Sequence, residues 1–217
     1  MVKRECTPIP PEDIILLLHG DGADGSTNIT DSSVYGHPVT VNGNAQISTA
    51  QSVYPGGSSM YFDGNGDYLS VPNDVFGDNL TFTIECYVRF SSLTSNGPLF
   101  CFDTTNCDVY YRAVSGRIAV FATTGVTFQS SYTPAVNTWI HIAIVIVNGQ
   151  CDLFIDGTKQ NTSKFAIGLT FTGFTIGTDF ADYLHGYLQD FRITKNRALY
   201  TTNFTPPTAP LPEPGFC

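Results

Sequence analysis

Acidic side chains are the residues of this chain best suited to chemistry, and hydrolysis of glycosidic bonds is a reaction that pairs of them perform. That reaction needs two carboxylates facing each other across a cleft. The chain has four glutamates, at positions 5, 12, 85 and 213, and Glu85 has no carboxylate two or four residues away. No Gly-x-Ser-x-Gly elbow occurs, and His141, between two isoleucines, is predicted to be a buried structural residue. The sequence therefore predicts a protein that is not an enzyme.

A second chemistry open to these residue types is carbohydrate binding, in which an aromatic ring stacks on the sugar and polar groups fix its hydroxyls. Tyr183 stands beside Asp179 and Asp182 in a segment typical of an exposed loop. These three residues are the predicted carbohydrate-binding site. The alternative is that the loop aromatics cover sheet edges or the core. The other rings of this kind are Tyr35, Tyr54, Tyr110, Tyr111, Tyr132 and Phe180.

Oxygen-bearing residues also alternate in Asp63-Gly64-Asn65-Gly66-Asp67, which resembles the first half of an EF-hand loop. No glutamate follows at the required spacing and no helical pattern flanks the segment. A tight connection between two strands explains it better. We expect the Asp67 carboxylate to hydrogen-bond inside the protein.

The composition favours many short strands over helices. Hydrophobic residues make up 42% of the 217 positions, and charged residues only 13%, about half their usual share. The net charge of −9, without a cluster of basic residues, predicts that nucleic acid is not a partner. No apolar run approaches the roughly 18 residues that span a bilayer, so no membrane insertion is expected. No hydrophobic signal core follows Met1, which predicts synthesis in the cytoplasm without a signal peptide.

Short apolar runs separated by turn residues predict an all-β fold of two packed antiparallel sheets. Asn42-Gly43-Asn44 predicts a hairpin turn between strands at 39–41 and 45–47. Residues 139–147 are apolar on both faces and are predicted to lie centrally in a sheet, whereas residues 195–200 suggest one helical turn. The other predicted strands are 14–19, 59–62, 68–71, 82–90, 98–102, 109–112, 118–122, 151–155, 174–177 and 184–194.

The two ends of the chain are rich in proline, which cannot continue a central strand. Residues 1–12 are predicted to be an extended arm, residues 13–200 the sandwich, and residues 201–217 a proline-rich tail. Disorder and attachment to a neighbouring subunit are the two alternatives for these arms. Cys86 and Cys151 share strand faces with apolar residues and are predicted to be reduced core residues, while Cys101 and Cys107 could pair across a turn.

Several motifs follow one another in order along the chain. They are Leu16-Leu17-Leu18-His19-Gly20-Asp21-Gly22, Asp31-Ser32-Ser33, Ser58-Ser59-Met60-Tyr61-Phe62-Asp63-Gly64, Phe82-Thr83-Ile84-Glu85-Cys86-Tyr87-Val88, Thr138-Trp139-Ile140-His141-Ile142-Ala143, Leu153-Phe154-Ile155-Asp156-Gly157 and Gly186-Tyr187-Leu188-Gln189-Asp190-Phe191-Arg192-Ile193. Their order and spacing resemble the concanavalin A-like lectin and glucanase superfamily, in its laminin G-like branch, which implies a two-sheet antiparallel jelly-roll sandwich. The ending at 197–207 resembles stand-alone jelly-roll proteins of bacteriophages and related viruses.

The resemblance also implies a structural Ca²⁺ between an early aspartate loop and an aspartate of the last strand. The matching ligands are Asp31, the backbone of Gly36, and Asp190, all of them sources of the hard oxygen atoms that Ca²⁺ prefers. Two nearby additional candidates are Asp21 and Asp24. Relatives carry small residues where this chain has Val34 and Tyr35. The alternative is that these loop aspartates cap turns.

Two functional hypotheses follow. In the first, the chain is a non-catalytic structural or adhesion protein on the surface of a virion, as a capsid decoration or a tail or fibre component. Its terminal arms would bind neighbouring virion proteins, and the sequence leaves a homo-oligomer open. In the second, it is a free-standing carbohydrate-binding module whose dependence on calcium the sequence leaves open. Cell-surface glycans are candidate partners under both hypotheses.

Overall fold

The computed structural model describes residues 9–72, 81–102, 107–122, 125–164 and 174–214. A short 3-10 turn at Pro11–Asp13 precedes the strands. The strands are β1 (Ile14–Leu18), β2 (Thr40–Asn42), β3 (Gln46–Ser48), β4 (Ser59–Asp63), β5 (Tyr68–Val71), β6 (Thr81–Phe90), β7 (Gly97–Cys101), β8 (Cys107–Arg112), β9 (Arg117–Ala122), β10 (Gly125–Gln129), β11 (Trp139–Val147), β12 (Gln150–Ile155), β13 (Thr158–Lys164), β14 (Phe174–Ile176) and β15 (His185–Lys195).

The strands form two antiparallel sheets packed as a sandwich, which confirms the predicted fold class. The larger sheet has the order β13-β12-β11-β6-β15-β4-β3, with β1 pairing to β15. The smaller has the order β10-β9-β8-β7-β14-β5-β2. Strand β11 lies between β12 and β6, so its predicted central place in a sheet is confirmed. Strands β10 and β13 were not predicted from the sequence.

Alternate residues of the strands fill the core between the sheets, because successive side chains of a strand point to opposite faces. On β6 the core face carries Cys86 between Ile84 and Val88, as predicted. Cys151 lies in the same core. Burial raises the pKa of the Cys86 thiol, which keeps it protonated. The side chain of Cys107 lies outside the described residues, so its pairing with Cys101 stays a prediction.

The turn at Asn42-Gly43-Asn44 does not close a hairpin, and that prediction was wrong. Strand β2 pairs with β5 in the smaller sheet, whereas β3 pairs with β4 in the larger one. Asp67 explains the difference, since its fully buried carboxylate accepts the N–H groups of Asn44 (2.7 Å) and Asp63 (2.9 Å). It ties the turn to the β4–β5 connection, and the chain passes between sheets there. The prediction that Asp67 bonds inside the protein is confirmed.

The segment after β15 is extended and forms no helical turn at 195–200, so this prediction was also wrong. Asn196 has a positive φ of 61° and turns the chain out of the sheet. Thr83 then holds the segment, because its hydroxyl donates to the Arg197 carbonyl (3.0 Å) and accepts the Leu199 N–H (3.1 Å). These contacts replace the backbone hydrogen bonds of a helix.

The described parts of both terminal arms pack against the sandwich itself. Ile9 and Leu211 meet in a small apolar cluster with Ile14 and Leu17, and Leu211 is only 5% exposed. We call residues 198–213 the strap, because they run across the outward face of the larger sheet. Apolar side chains of the tail thus find buried partners in the same chain, and attachment of the arms to a neighbouring subunit stays a prediction.

Candidate functional site

The outward face of the larger sheet has two parts, one under the strap and one beside it. In the first part, Ala198, Tyr200 and Phe204 of the strap pack against Ala143, Val145 and Phe154 of the sheet. The rings of Tyr200 and Phe204 stack with centroids 3.6 Å apart. The Phe204 N–H donates to the Gly157 carbonyl at 2.9 Å. This part of the face is a second, smaller core.

The far end of the strap is held by polar contacts. The Tyr87 hydroxyl donates to the Pro207 carbonyl, and the Leu211 N–H donates to Asp190 Oδ2 at 3.0 Å. His19 lies between Asp190 Oδ1 (2.6 Å) and Glu213 Oε1 (3.3 Å). Burial lowers the pKa of His19, but the two carboxylates outweigh it and the net shift is upward. His19 thus links the last strand to the end of the strap.

A buried charge network lies beneath the strap. Glu85 Oε1 accepts two hydrogen bonds from Arg192, at 3.0 and 2.5 Å, across neighbouring strands. Glu85 Oε2 accepts the Tyr200 hydroxyl at 2.7 Å and lies 3.2 Å from His141 Nε2. Burial raises the pKa of Glu85, but Arg192 and its other partners outweigh it and lower the pKa to about 2. This carboxylate is therefore an ionised structural group.

His141 is the buried residue that the sequence predicted, with 1% of its surface exposed. Its backbone N–H donates to Asp156 at 2.9 Å, and its ring packs edge-on against Tyr87 and Phe204. Within the described part of the chain, Nδ1 of His141 has no hydrogen-bond partner.

The part of the face beside the strap carries a line of large, partly exposed side chains, which we call the aromatic row. Strand register places Trp139 opposite Arg89, Arg89 opposite Tyr187, and Tyr187 opposite Tyr61. Gln46 extends the line on β3. All five side chains are partly exposed, while their strand neighbours Ile140, Val88, Leu188, Phe62 and Ile47 are buried in the core.

The rings of the aromatic row converge. Trp139 and Tyr187 stand on strands separated by β6, which is a distance of about 9–10 Å, yet their ring centroids are 6.4 Å apart. The two rings therefore approach each other across the strand that carries Arg89. Tyr61 and Tyr187 are 4.9 Å apart with their planes tilted by 40°. Burial and the neighbouring Tyr187 raise the pKa of Tyr61, so its hydroxyl stays protonated.

The aromatic row offers the two elements that a sugar site needs. Its rings are partly exposed, and a guanidinium, phenol hydroxyls and an amide stand among them. Sequence reasoning did not select these residues as a site. The sequence signal for Arg89 and Tyr187 was their position between residues that point into the core. The order of the strands was needed to show that the residues of the row lie side by side.

The predicted sugar-binding residues Asp179, Asp182 and Tyr183 lie together in the loop between β14 and β15. Asp179 accepts the N–H groups of Ala181 and Asp182 at 3.1 and 2.7 Å. Asp182 accepts the side-chain amide of Asn96 at 2.8 Å. Tyr183 is partly buried, and the more exposed ring of the loop is Phe180, at 51%. Both carboxylates brace the loop, and the assignment as a sugar site stays a prediction.

The predicted calcium ligands Asp31 and Asp190 belong to separate hydrogen-bond networks. Asp31 accepts five hydrogen bonds, from the Leu17 N–H and from the backbone and side chains of Ser33 and His37. Burial raises its pKa, but these donors lower it overall. Asp190 binds His19, Tyr54 and Leu211, so the two carboxylates share no partner.

The additional calcium candidates lie apart from this pair. Asp24 accepts the N–H and hydroxyl of Thr49 at 2.9 and 3.3 Å, and Asp21 is exposed. A cleft of roughly 330 Å³ lies over Asp31 and Gly36. In the described ranges no three His, Cys, Asp or Glu side chains are grouped to hold a metal.

No helix within the described residues is long and apolar enough to cross a membrane.

Thermal unfolding tests the Ca²⁺ site that the resemblance implies at the Asp31 cleft. Because five protein donors occupy the carboxylate, we expect the same Tm in excess Ca²⁺ and in chelator. A Ca²⁺-dependent rise in Tm that Asp31→Asn abolishes, and that Asp24→Asn leaves in place, would instead establish the ion.

A family model and several solved structures match this chain. A family model described as the concanavalin A-like lectin/glucanases superfamily matches residues 63–202, more than half of the chain. No curated protein matches the sequence significantly. Domain 4 of AbnA, an extracellular GH43 arabinanase of Geobacillus stearothermophilus solved with arabinotriose, superposes with a TM-score of 0.66 and 16% identity, covering 84% of this chain and 92% of that one.

Botulinum neurotoxin binding domains also share the fold. The DC binding domain solved with SialylT has a TM-score of 0.60 and 14% identity over 85% of this chain and 48% of that one. The DC domain solved with rat synaptotagmin II has a TM-score of 0.56 and 15% identity over 85% and 48%. The chain thus spans about half the length of these toxin domains. At such identities the likeness concerns the fold.

Proposed function

This chain belongs to the concanavalin A-like lectin/glucanases superfamily, and we propose that it is a non-catalytic glycan-binding module that binds sugars on the aromatic row. The observation that carries the proposal is the alignment of Trp139, Tyr187 and Tyr61 around Arg89 on an outward sheet face. Exposed aromatic residues scattered singly are normal, whereas three in one register row with ring contacts form a continuous stacking surface.

The relatives give independent support for a glycan ligand. The arabinanase domain was solved with arabinotriose and one toxin binding domain with SialylT, and those sugars are ligands of those proteins. Because this chain shares the fold of those domains, we expect its surface also to bind sugars. The aromatic row is the surface of this chain with the matching chemistry.

The state of Glu85 supports a role without catalysis. The general acid of a glycoside hydrolase needs a raised pKa and a second carboxylate across a cleft. Glu85 has a pKa lowered to about 2 and donors on both oxygens. It also lies beneath the strap, with 1% of its surface exposed.

Replacing Trp139 by alanine is expected to weaken glycan affinity about thirtyfold, the effect of losing a central aromatic contact. Tyr187→Ala should have an effect of similar size. A glycan array identifies a ligand first, and isothermal titration calorimetry then measures its Kd for each variant, with circular dichroism to verify folding.

The matched control is Phe180→Ala, which removes an exposed ring from the loop of Asp179, Asp182 and Tyr183. We expect it to bind as the parent does. Loss of binding in Phe180→Ala with full binding in Trp139→Ala would move the site to that loop. An absence of binding to every glycan by folded protein would contradict the proposed function.

A role on the surface of a virion, with neighbouring virion proteins as partners, stays a prediction based on residues 197–207. In the structure these residues contact the sandwich of the same chain, through Thr83, Phe154 and Tyr87 among others. Anchoring through the tail would therefore first require release of the strap. Glycan binding by the aromatic row is compatible with such a location.

A further inference from the structure

Arg89, like Arg112, Arg117 and Lys195, forms no ion pair in the described part of the chain, but it lies in the aromatic row whereas those three lie elsewhere. Arg192 pairs with Glu85, Arg197 with Asp13, and Lys159 with Asp152. Arg89 has no carboxylate within ion-pair distance in the part of the chain that the structure describes. Its contact is with the Tyr187 ring, whose centroid lies 5.6 Å from the guanidinium carbon. A partly buried guanidinium is therefore left without an anionic partner.

The aromatic row holds this guanidinium at its centre. Trp139 and Tyr187 flank Arg89 in register, and their rings approach each other across its strand. The side chains of the row include no acidic group. Asp63 occupies the next outward position on β4, where it faces His185. The site thus has a local positive charge on a chain whose net charge is −9.

We propose that the aromatic row selects acidic glycans, and that Arg89 binds the carboxylate of a uronic or sialic acid residue. A guanidinium presents a planar fork of N–H donors that matches a carboxylate in two parallel hydrogen bonds. Stacking of that fork on Tyr187 orients it in advance, so little rotamer freedom is lost on binding. The rings on either side would stack on the sugars that carry or adjoin the acid. This inference rests on the proposed function of the aromatic row.

Each acidic ligand is to be compared with a neutral match. Trigalacturonate is paired with its methyl ester, which keeps the ring and masks the charge, and 3′-sialyllactose is paired with lactose. We expect the acid of at least one pair to bind about tenfold to a hundredfold more tightly than its neutral match. The pair that shows the preference identifies the source of the carboxylate.

Arg89 variants locate the preference. Arg89→Gln should bring the acid to the affinity of its neutral match, and Arg89→Lys should recover only part of the preference, because an ammonium lacks the fork. Arg112→Gln, which removes a basic side chain at the end of a strand in the other sheet, should change neither affinity. Circular dichroism verifies that each variant is folded.

The outcomes separate the two proposals. Equal binding of acid and neutral match by the parent, or an acid preference that survives Arg89→Gln, overturns the role of Arg89. If neutral glycans still bind and Trp139→Ala abolishes that binding, the proposed function stands without the inference. An absence of binding to all four probes and to the glycan array overturns both.

Discussion

Glu85→Gln is expected to lower the free energy of unfolding by about 3–5 kcal/mol, the cost of breaking a buried ion pair by removing one charge. Glu85 is 1% exposed and Arg192 is 4% exposed, so water does not replace the lost partner. The substitution keeps the volume but leaves the Arg192 guanidinium buried without a counter-charge. Urea denaturation followed by tryptophan fluorescence measures the change as a lower midpoint at an unchanged slope.

The same residue gives the stability a pH dependence. The folded-state pKa of Glu85 is about 2, below its unfolded value of about 4.3. Its contribution is therefore complete above the unfolded pKa and is lost as the pH falls toward about 2. The parent should lose more stability than Glu85→Gln between about pH 5 and pH 3, because the variant has no carboxylate to protonate there.

The matched control for this prediction is Glu12→Gln, at an exposed position. Its unfolding free energy should stay within about 0.5 kcal/mol of the parent. If Glu85→Gln lost no more unfolding free energy than Glu12→Gln, the network would not stabilise the fold. The same conclusion would follow if the two variants lost stability equally between about pH 5 and pH 3.

Removal of the strap is expected to have the largest effect on stability. A chain that ends at residue 197 loses the cover over Ala143, Val145 and Phe154, and it loses the Tyr200 hydroxyl that binds Glu85. Single large-to-small changes in a core cost about 2–5 kcal/mol, and this truncation removes several such contacts at once. Because folded domains are stable by only about 5–15 kcal/mol, we expect the truncated chain to be largely unfolded.

Near-ultraviolet circular dichroism and urea titration of the truncated chain measure this effect. If that chain cannot be purified, Leu211→Ala provides a milder test. It should destabilise by about 2–4 kcal/mol, since Leu211 is 5% exposed within a cluster of Ile14, Leu17 and Ile9. Thr202→Ala, at an exposed position of the strap, is the control. A truncated chain that unfolds at the same urea concentration as the parent would show the strap to be a loosely attached tail.

The local pattern of the sequence was enough to predict the fold class, the main strands and the inward faces. Phe82, Ile84, Cys86 and Val88 alternate with polar residues, and they occupy the core side of β6 as predicted. That signal is local, because the two-residue period of a strand is set by its own backbone. The sequence also predicted that Asp67 accepts internal hydrogen bonds. Its glycine-rich segment lacks the glutamate of an EF-hand loop, so a tight strand connection was the better interpretation.

Contacts between distant segments were decided only by the tertiary structure. The turn at Asn42-Gly43-Asn44 has the composition of a hairpin, but the Asp67 carboxylate binds it and directs β3 to the other sheet. The proline-rich tail has the composition of a free arm, but Leu211 finds an apolar cluster to join. In each case a local preference of about 1 kcal/mol was outweighed by burial of a partner far away in the chain.

The candidate site shows the same division. Arg89 and Tyr187 alternate with buried neighbours in their own segments, whereas Trp139 begins a run that is apolar on both faces. Their meeting with Tyr61 in one row depends on the strand order β11-β6-β15-β4, and that order is set by how the whole chain buries its apolar faces. The sequence by itself thus determined the inward and outward faces of the alternating strands, and only the tertiary structure decided which outward side chains lie side by side, because strand pairing is a long-range contact.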